Sequence, residues 1–229
     1  MKIFSFALIL SAVCSLGCTK KTNEEFQTLT VGMNPSYPPF ESINEKGIIE
    51  GFDVDISHAI AKLLGKKLVI RELEFDALIL GLKYGKIDLI ISGMSITTER
   101  QKEIIQIPYQ GEAIRSYVLL SKGMLPAINN DAELGKIKGI ISVQHGTWME
   151  KFLSKNSQLM LHTFEGTPQV LIDVLYDKSA AAFLEPAAAK AMLIKRPELK
   201  FLEVPLREED WVLGNGIGIK KEATVLRCV

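Results

Sequence analysis

Residues 87–100 read IDLIISGMSITTER. Ile87 to Ile91 is apolar apart from Asp88, as in a short strand buried on both faces. It runs into Ser92-Gly93-Met94-Ser95, whose mostly small side chains let another molecule approach the backbone. Thr97 or Thr98 then opens a helix, and Thr98 with Gln101 three residues on fits a capping box. Arg100 falls in the first turn of that helix. Free amides at a helix N-terminus and a guanidinium fork both suit a carboxylate. The same residues read equally well as a solvated arginine beside an ordinary cap.

The chain on either side alternates strands with helices. Upstream, Leu29 to Gly32 reads as a strand, and Pro35, Pro38 and Pro39 force an irregular loop because proline has no amide donor. Ile56, Ala59, Ile60, Leu63 and Leu64 have the spacing of one helical face, with Gly65 placed to end it. Leu68 to Ile70 is a strand, and Asp76 can cap a helix running to Gly85. Downstream, Gly139 to Val143 is a strand and Gly146 to Leu153 a helix. Thr167-Pro168 reads as an N-cap with proline in the first helical position. Ala180 to Leu184 is a strand, and Pro186 opens another helix. Such alternation predicts an α/β fold of parallel sheets covered on both faces, in two sets divided near residues 109–114.

Ligands in folds of this kind bind at the carboxyl ends of strands, where helix N-termini converge. Those ends are Tyr37 to Phe40, Ser92 to Arg100, Gly146-Thr147 and Glu185. A carboxylate at Glu185 can hold an ammonium group; it reads somewhat more readily as a first-turn glutamate favoured by the helix dipole. Phe40 and Phe52 read as core. Tyr37 and Phe75 can line a cleft, with faces that hold an aliphatic stem or a cation.

The 229 residues carry 27 basic and 27 acidic side chains with no basic run, which excludes nucleic acid as a partner. His58, His145 and His162 are scattered and the cysteines do not cluster, so neither a metal site nor a cofactor is expected. Lys2 precedes an apolar stretch from Ile3 to Val13, too short to cross a bilayer core of ~30 Å but of signal-peptide length. Cys14 would leave with that peptide. Beyond Cys18 only Cys228 remains, so there is no disulfide framework.

Taken in order, Tyr37-Pro38-Pro39-Phe40, Gly51-Phe52-Asp53-Val54-Asp55, Phe75-Asp76-Ala77-Leu78, Gly85 to Ile90 and Ser92 to Arg100 resemble the periplasmic polar amino-acid-binding family of ABC transporters. Gln144 to Thr147 and Ala181 to Pro186 match it more loosely. The resemblance implies a two-lobed periplasmic-binding-protein fold, type II-like, with two hinge strands near 109–114 and 203–207. It implies a signal peptide over 1–17, a linker over 18–25, lobe 1 over 26–110, lobe 2 over 111–204 and a return to lobe 1 over 205–229, without the family's last helix. Ser15-Leu16-Gly17-Cys18 resembles a lipoprotein signal and implies a lipid anchor on Cys18.

The resemblance also implies roles. Arg100 would hold a ligand α-carboxylate with Ser95 and the Thr147 amide. Glu185 would hold the α-ammonium with the Gly93 carbonyl. Tyr37 and Phe75 would flank the side chain, and Asn34 and Ser92 would reach its far end. Glu185 stands where the family usually has Asp, and Asn34 where some cation-binding members have an acid. The implied function is capture of a cationic amino acid, arginine first and glutamine open, and delivery to a membrane ABC permease. The carrier would be a monomer outside the cytoplasm and not an enzyme. Two other classes compete: a dehydratase on the same fold with Glu185 as general acid, and a surface antigen that kept the fold without the ligand.

Overall fold

The computed structural model describes residues 28–110 and 112–221. The expected signal peptide, Cys18, linker and Cys228 tail lie outside the described residues. No helix among the described residues is long and apolar enough to cross a membrane.

The first half opens on β1 (Thr28–Met33). The proline-rich segment after it forms a small meander, β2 (Ser36–Tyr37), β3 (Glu41–Ile43) and β4 (Ile49–Glu50), with a cis Pro38–Pro39 peptide. Then come α1 (Phe52–Leu63), β5 (Lys67–Glu72), a 3-10 turn over Phe75–Ala77, α2 (Leu78–Lys83), β6 (Leu89–Ile90), α3 (Thr98–Glu103) and β7 (Ile105–Pro108). The second half runs through β8 (Ser116–Ser121), β9 (Ile140–Gln144), α4 (Trp148–Ser154) and β10 (Met160–Phe164). It continues with α5 (Thr167–Leu175), β11 (Ala181–Leu184), α6 (Pro186–Lys195) and β12 (Lys200–Pro205), and β13 (Gly216–Ile219) returns to the first sheet.

The two main sheets have equivalent layouts, β5-β1-β6-β13-β7 and β10-β9-β11-β8-β12. In each, the first three strands are parallel and the last two antiparallel to their neighbours. The all-parallel expectation is therefore corrected. β8 and β13 reach their sheets from the other lobe and not through a crossover helix, so nothing obliges them to run parallel. Segments 109–115 and 206–215 carry the chain between the sheets. They touch through an antiparallel bridge of Ile114 and Val212. The second crossing comes later than the expected 203–207, because β12 stays paired with β8 as far as Pro205 opposite Ser116.

β6 shows why the fold forms around its sequence. Leu89 and Ile91 join Val31 and Val54 in the core on one face of the first sheet, while Ile90 joins Leu78, Leu82 and Ile104 on the other. Each such side chain, fully buried, stabilises the fold by roughly 1.5–3 kcal/mol. α1 presents Val54, Ser57 and Ala61 inward with Ile56 and Ile60 beside them; the expected Ala59 and Leu63 are exposed. Gly65, at φ 63°, ends this helix as expected.

Three cap assignments shift. Asp76 lies inside the 3-10 turn and caps nothing. Thr97, not Thr98, caps α3 by accepting the Arg100 amide at 3.2 Å, so no box forms with Gln101. Gly166 caps α5, which puts Thr167 inside the helix.

Candidate functional site

The carboxyl ends of β6 and β11 face each other across the gap between the sheets. Between them lies a small cavity, ≈ 10 Å³ in volume. Asn34, Tyr37, Phe75, Ser92, Gly93 and Ser95 line it from the first lobe, and Thr147 and Glu185 from the second. Those are the sequence-predicted site residues other than Arg100, which borders an adjoining groove together with Thr147.

The loop after β6 depends on glycine. Gly93 sits at φ 50°, and a Cβ there would come within 3.0 Å of the Tyr37 ring. Its amide donates to Asp53 Oδ2 at 2.7 Å. Ser92 Oγ accepts from the Asn34 amide at 2.9 Å and donates to Glu41 Oε1 at 2.7 Å, so its proton is committed and one acceptor lone pair remains. Arg100 reaches back over the helix start. One guanidinium nitrogen donates to Ser95 O at 2.8 Å and another, across the lobes, to Gly146 O at 3.1 Å. The plane lies 5.3 Å from the Phe75 ring centroid. Burial lowers its pKa to about 10, which leaves it a cation at neutral pH. A guanidinium has five donors, so these two bonds leave others for a carboxylate.

From the second lobe, Glu185 occupies the N-cap position of α6 without a capping hydrogen bond. It is 3% exposed. Burial raises its carboxyl to about 7, against the pull of Asn215, Tyr37 and Arg100, which favour the charged form. Thr147 caps α4: its hydroxyl accepts from Glu150 N at 3.2 Å and donates to Gln144 O at 2.7 Å. The aromatic pair is arranged otherwise than as two bare faces. Tyr37 stacks on Phe40 at 5.5 Å, and one face of Phe75 carries Arg100. Asn34 bridges the lobes, its amide nitrogen donating to Leu73 O at 3.2 Å and Glu74 Oε2 at 3.4 Å and its oxygen accepting from Gln144 Nε2 at 3.3 Å.

With this geometry in view, the chain can be set against known proteins. Residues 29–225 match the bacterial extracellular solute-binding proteins, family 3. The chain belongs to that family. It is 40% identical to the probable ABC transporter arginine-binding protein ArtJ of Chlamydia trachomatis, over 97% of this chain and 85% of that one. It is 31% identical to the histidine-binding periplasmic protein of Salmonella typhimurium, over 88% of this chain and 78% of the other. The structure of holo ArgBP from T. maritima superposes with a TM-score of 0.79 at 32% identity, covering 89% of this chain and 87% of that one. Family membership gives the dehydratase reading of Glu185 no support.

This solute-binding protein also contains site residues that the sequence reading passed over. Glu41 and Gln144 line the cavity. Glu74 and Glu165 line the outer groove beyond Asn34, one from each lobe. Their carboxyls approach closely enough that burial first, and then Glu165, raises the Glu74 pKa. Asn215 and Tyr117 are wholly buried; Asn215 favours the charged form of Glu185, and Glu185 in turn raises the Tyr117 phenol. Glu41 and Gln144 had a sequence signal, since Glu41 directly follows Tyr37-Pro38-Pro39-Phe40 and Gln144 opens the Gln144 to Thr147 segment. The others are far apart in sequence and had none.

Proposed function

We propose that this protein captures a cationic amino acid, arginine before lysine, in the cleft and delivers it to an ABC permease. The observation that carries this reading is the polarity of the cavity. The buried Glu185 carboxyl lines it and the Arg100 guanidinium borders the groove that adjoins it at Thr147, complementary to an α-ammonium and an α-carboxylate. Beyond Asn34, Glu74 and Glu165 supply the negative charge that a cationic side chain requires. The arginine-binding relatives support the same choice.

Residues 28–108 and 216–221 form lobe 1 and 116–205 lobe 2 in this reading, closing about the two crossing segments. The working state is a monomer outside the cytoplasm, held to the membrane by lipid on Cys18. A Cys18→Ser variant should move from the membrane to the soluble fraction. For the ligand, labelled arginine is competed with unlabelled arginine, lysine, histidine and glutamine. Arginine should displace it best; stronger displacement by glutamine would overturn the cationic assignment.

A further inference from the structure

Behind the cavity floor two carboxyls meet. Glu41 on β3 is 1% exposed and Asp53 at the start of α1 is 0% exposed. Glu41 Oε1 accepts from Ser92 Oγ at 2.7 Å. Asp53 Oδ2 accepts from the Gly93 amide at 2.7 Å and from the Tyr109 hydroxyl at 2.9 Å. The remaining oxygens, Glu41 Oε2 and Asp53 Oδ1, are buried without a donor. Two adjacent buried carboxylates cannot both ionise cheaply, whereas one proton between them satisfies both free oxygens.

We propose that Glu41 and Asp53 share one proton, carried on Glu41 Oε2 and donated to Asp53 Oδ1, and that this pair positions the ligand loop Ser92-Gly93 and ties it to Tyr109 at the first crossing segment. Each oxygen of the pair then has a partner. Asp53, the ionised member, accepts the stronger set of donors. Glu41, the neutral member, accepts from a serine whose own oxygen holds the Asn34 amide. The other titratable groups acting on the pair are Glu185 from the second lobe and the phenols of Tyr37 and Tyr109. The acids among them keep the proton in place, and burial raises both carboxyls of the pair. The link reaches the crossing segments by two routes. Tyr109 N donates to Asn215 O at 3.2 Å, and Asn215 Nδ2 donates to Gln110 Oε1 at 2.7 Å.

This assignment rests on the reading of Ser92-Gly93 as a ligand loop, and its test separates the two. Infrared spectra of the arginine-saturated full chain at mildly alkaline pH, where Glu185 is ionised, should contain the carbonyl band of a protonated carboxyl. Glu41→Gln should abolish that band. Its persistence in Glu41→Gln, or its absence from the wild type, would overturn the shared proton whether or not arginine is the natural ligand. Calorimetry supplies the second readout. Glu41→Ala should weaken arginine binding about tenfold or more, as loss of a buried partner does, and Glu41→Gln should recover most of it. Asn at position 53 cannot serve as an anion, so Asp53→Asn should bind no better than Asp53→Ala. Equal rescue at both positions, or at neither, would overturn the assignment of the proton to Glu41. If an Asp53 variant fails to fold, the wild-type and Glu41→Gln spectra still decide.

Discussion

Arg100 and Glu185 show what single residues can be asked to do. Arg100 joins Ser95 O to Gly146 O across the lobes and lies against Phe75, so its removal strips both a ligand donor and a bridge of the closed form. Arg100→Ala should cost ~3 kcal/mol or more of ligand binding by calorimetry, as loss of a buried charge partner does. Glu185 gives a pH dependence. Its carboxyl is raised from 4.5 to about 7, so the folded protein holds a proton that the unfolded chain releases earlier. Its contribution to stability without ligand is present in acid and is lost as the pH rises from 4.5 through about 7. Ligand binding runs the opposite way, because the ammonium needs the carboxylate. Affinity should therefore rise with pH up to about 7 and level off above it, with proton release on binding below that point. Glu185→Gln should flatten the profile. The sequence offered both residues as candidate polar ends of one site. It could not supply the raised Glu185 pKa, because the burial that raises it comes from packing of residues far apart in the chain.

Among the elements, the turn before α4 is the most exposed to a small change. Gly146 sits at φ 71°, and a Cβ there would lie 2.7 Å from Asp76 Cβ, on the opposite lobe. Gly146→Ala should strain the turn and hold the lobes apart. Arginine affinity should fall about tenfold, and the melting temperature of the ligand-free protein should also fall by a few degrees, since the left-handed backbone strains a Cβ in the open form as well. Thr147→Ala would instead remove the α4 cap and cost ~1 kcal/mol of stability, measurable by denaturant unfolding. Element types were legible because apolar periodicity is local. The cap shifts have local physical causes as well. Thr97 outcompetes Thr98 because its backbone is extended at φ −134° and its oxygen reaches the Arg100 amide. Asp76 gives up capping and its carboxylate instead approaches His145 across the lobes at 3.6 Å.

At the scale of the whole molecule, the contacts between lobes describe a closed form. Lys151 pairs with Glu99, Gln144 with Asn34, Thr167 with Ser36 O and Arg100 with Gly146 O. Among the described residues the segments around 109–115 and 206–215 alone connect the lobes covalently, so opening is expected as a rotation about the Ile114–Val212 bridge. Small-angle scattering should give a smaller radius of gyration with saturating arginine than without. An unchanged radius would mean that the closed form persists without ligand. The exposed ion pairs contribute little to this balance, since such pairs are worth ~0–1 kcal/mol each.

The sequence by itself determined the class of fold and the alternation of β1, β5, β6, β9 and β11 with helices, while the proline-loop meander, β7, β8, β10 and β12 were not read from it. Residues 87–100 carry that information locally: an apolar run buries a strand, small residues open its end, and a threonine starts the next helix. Tertiary structure decided the rest. It set the antiparallel return of β8 and β13, the meeting of Glu41 with Asp53, the acids beyond Asn34 and the second donor target of Arg100. Asn34 and Gln144 are 110 residues apart when they bond, and Arg100 and Gly146 are 46 apart. Periodicity tells each residue which way to face. Which residue it then meets depends on two sheets brought together by crossing segments, and no local pattern encodes that geometry.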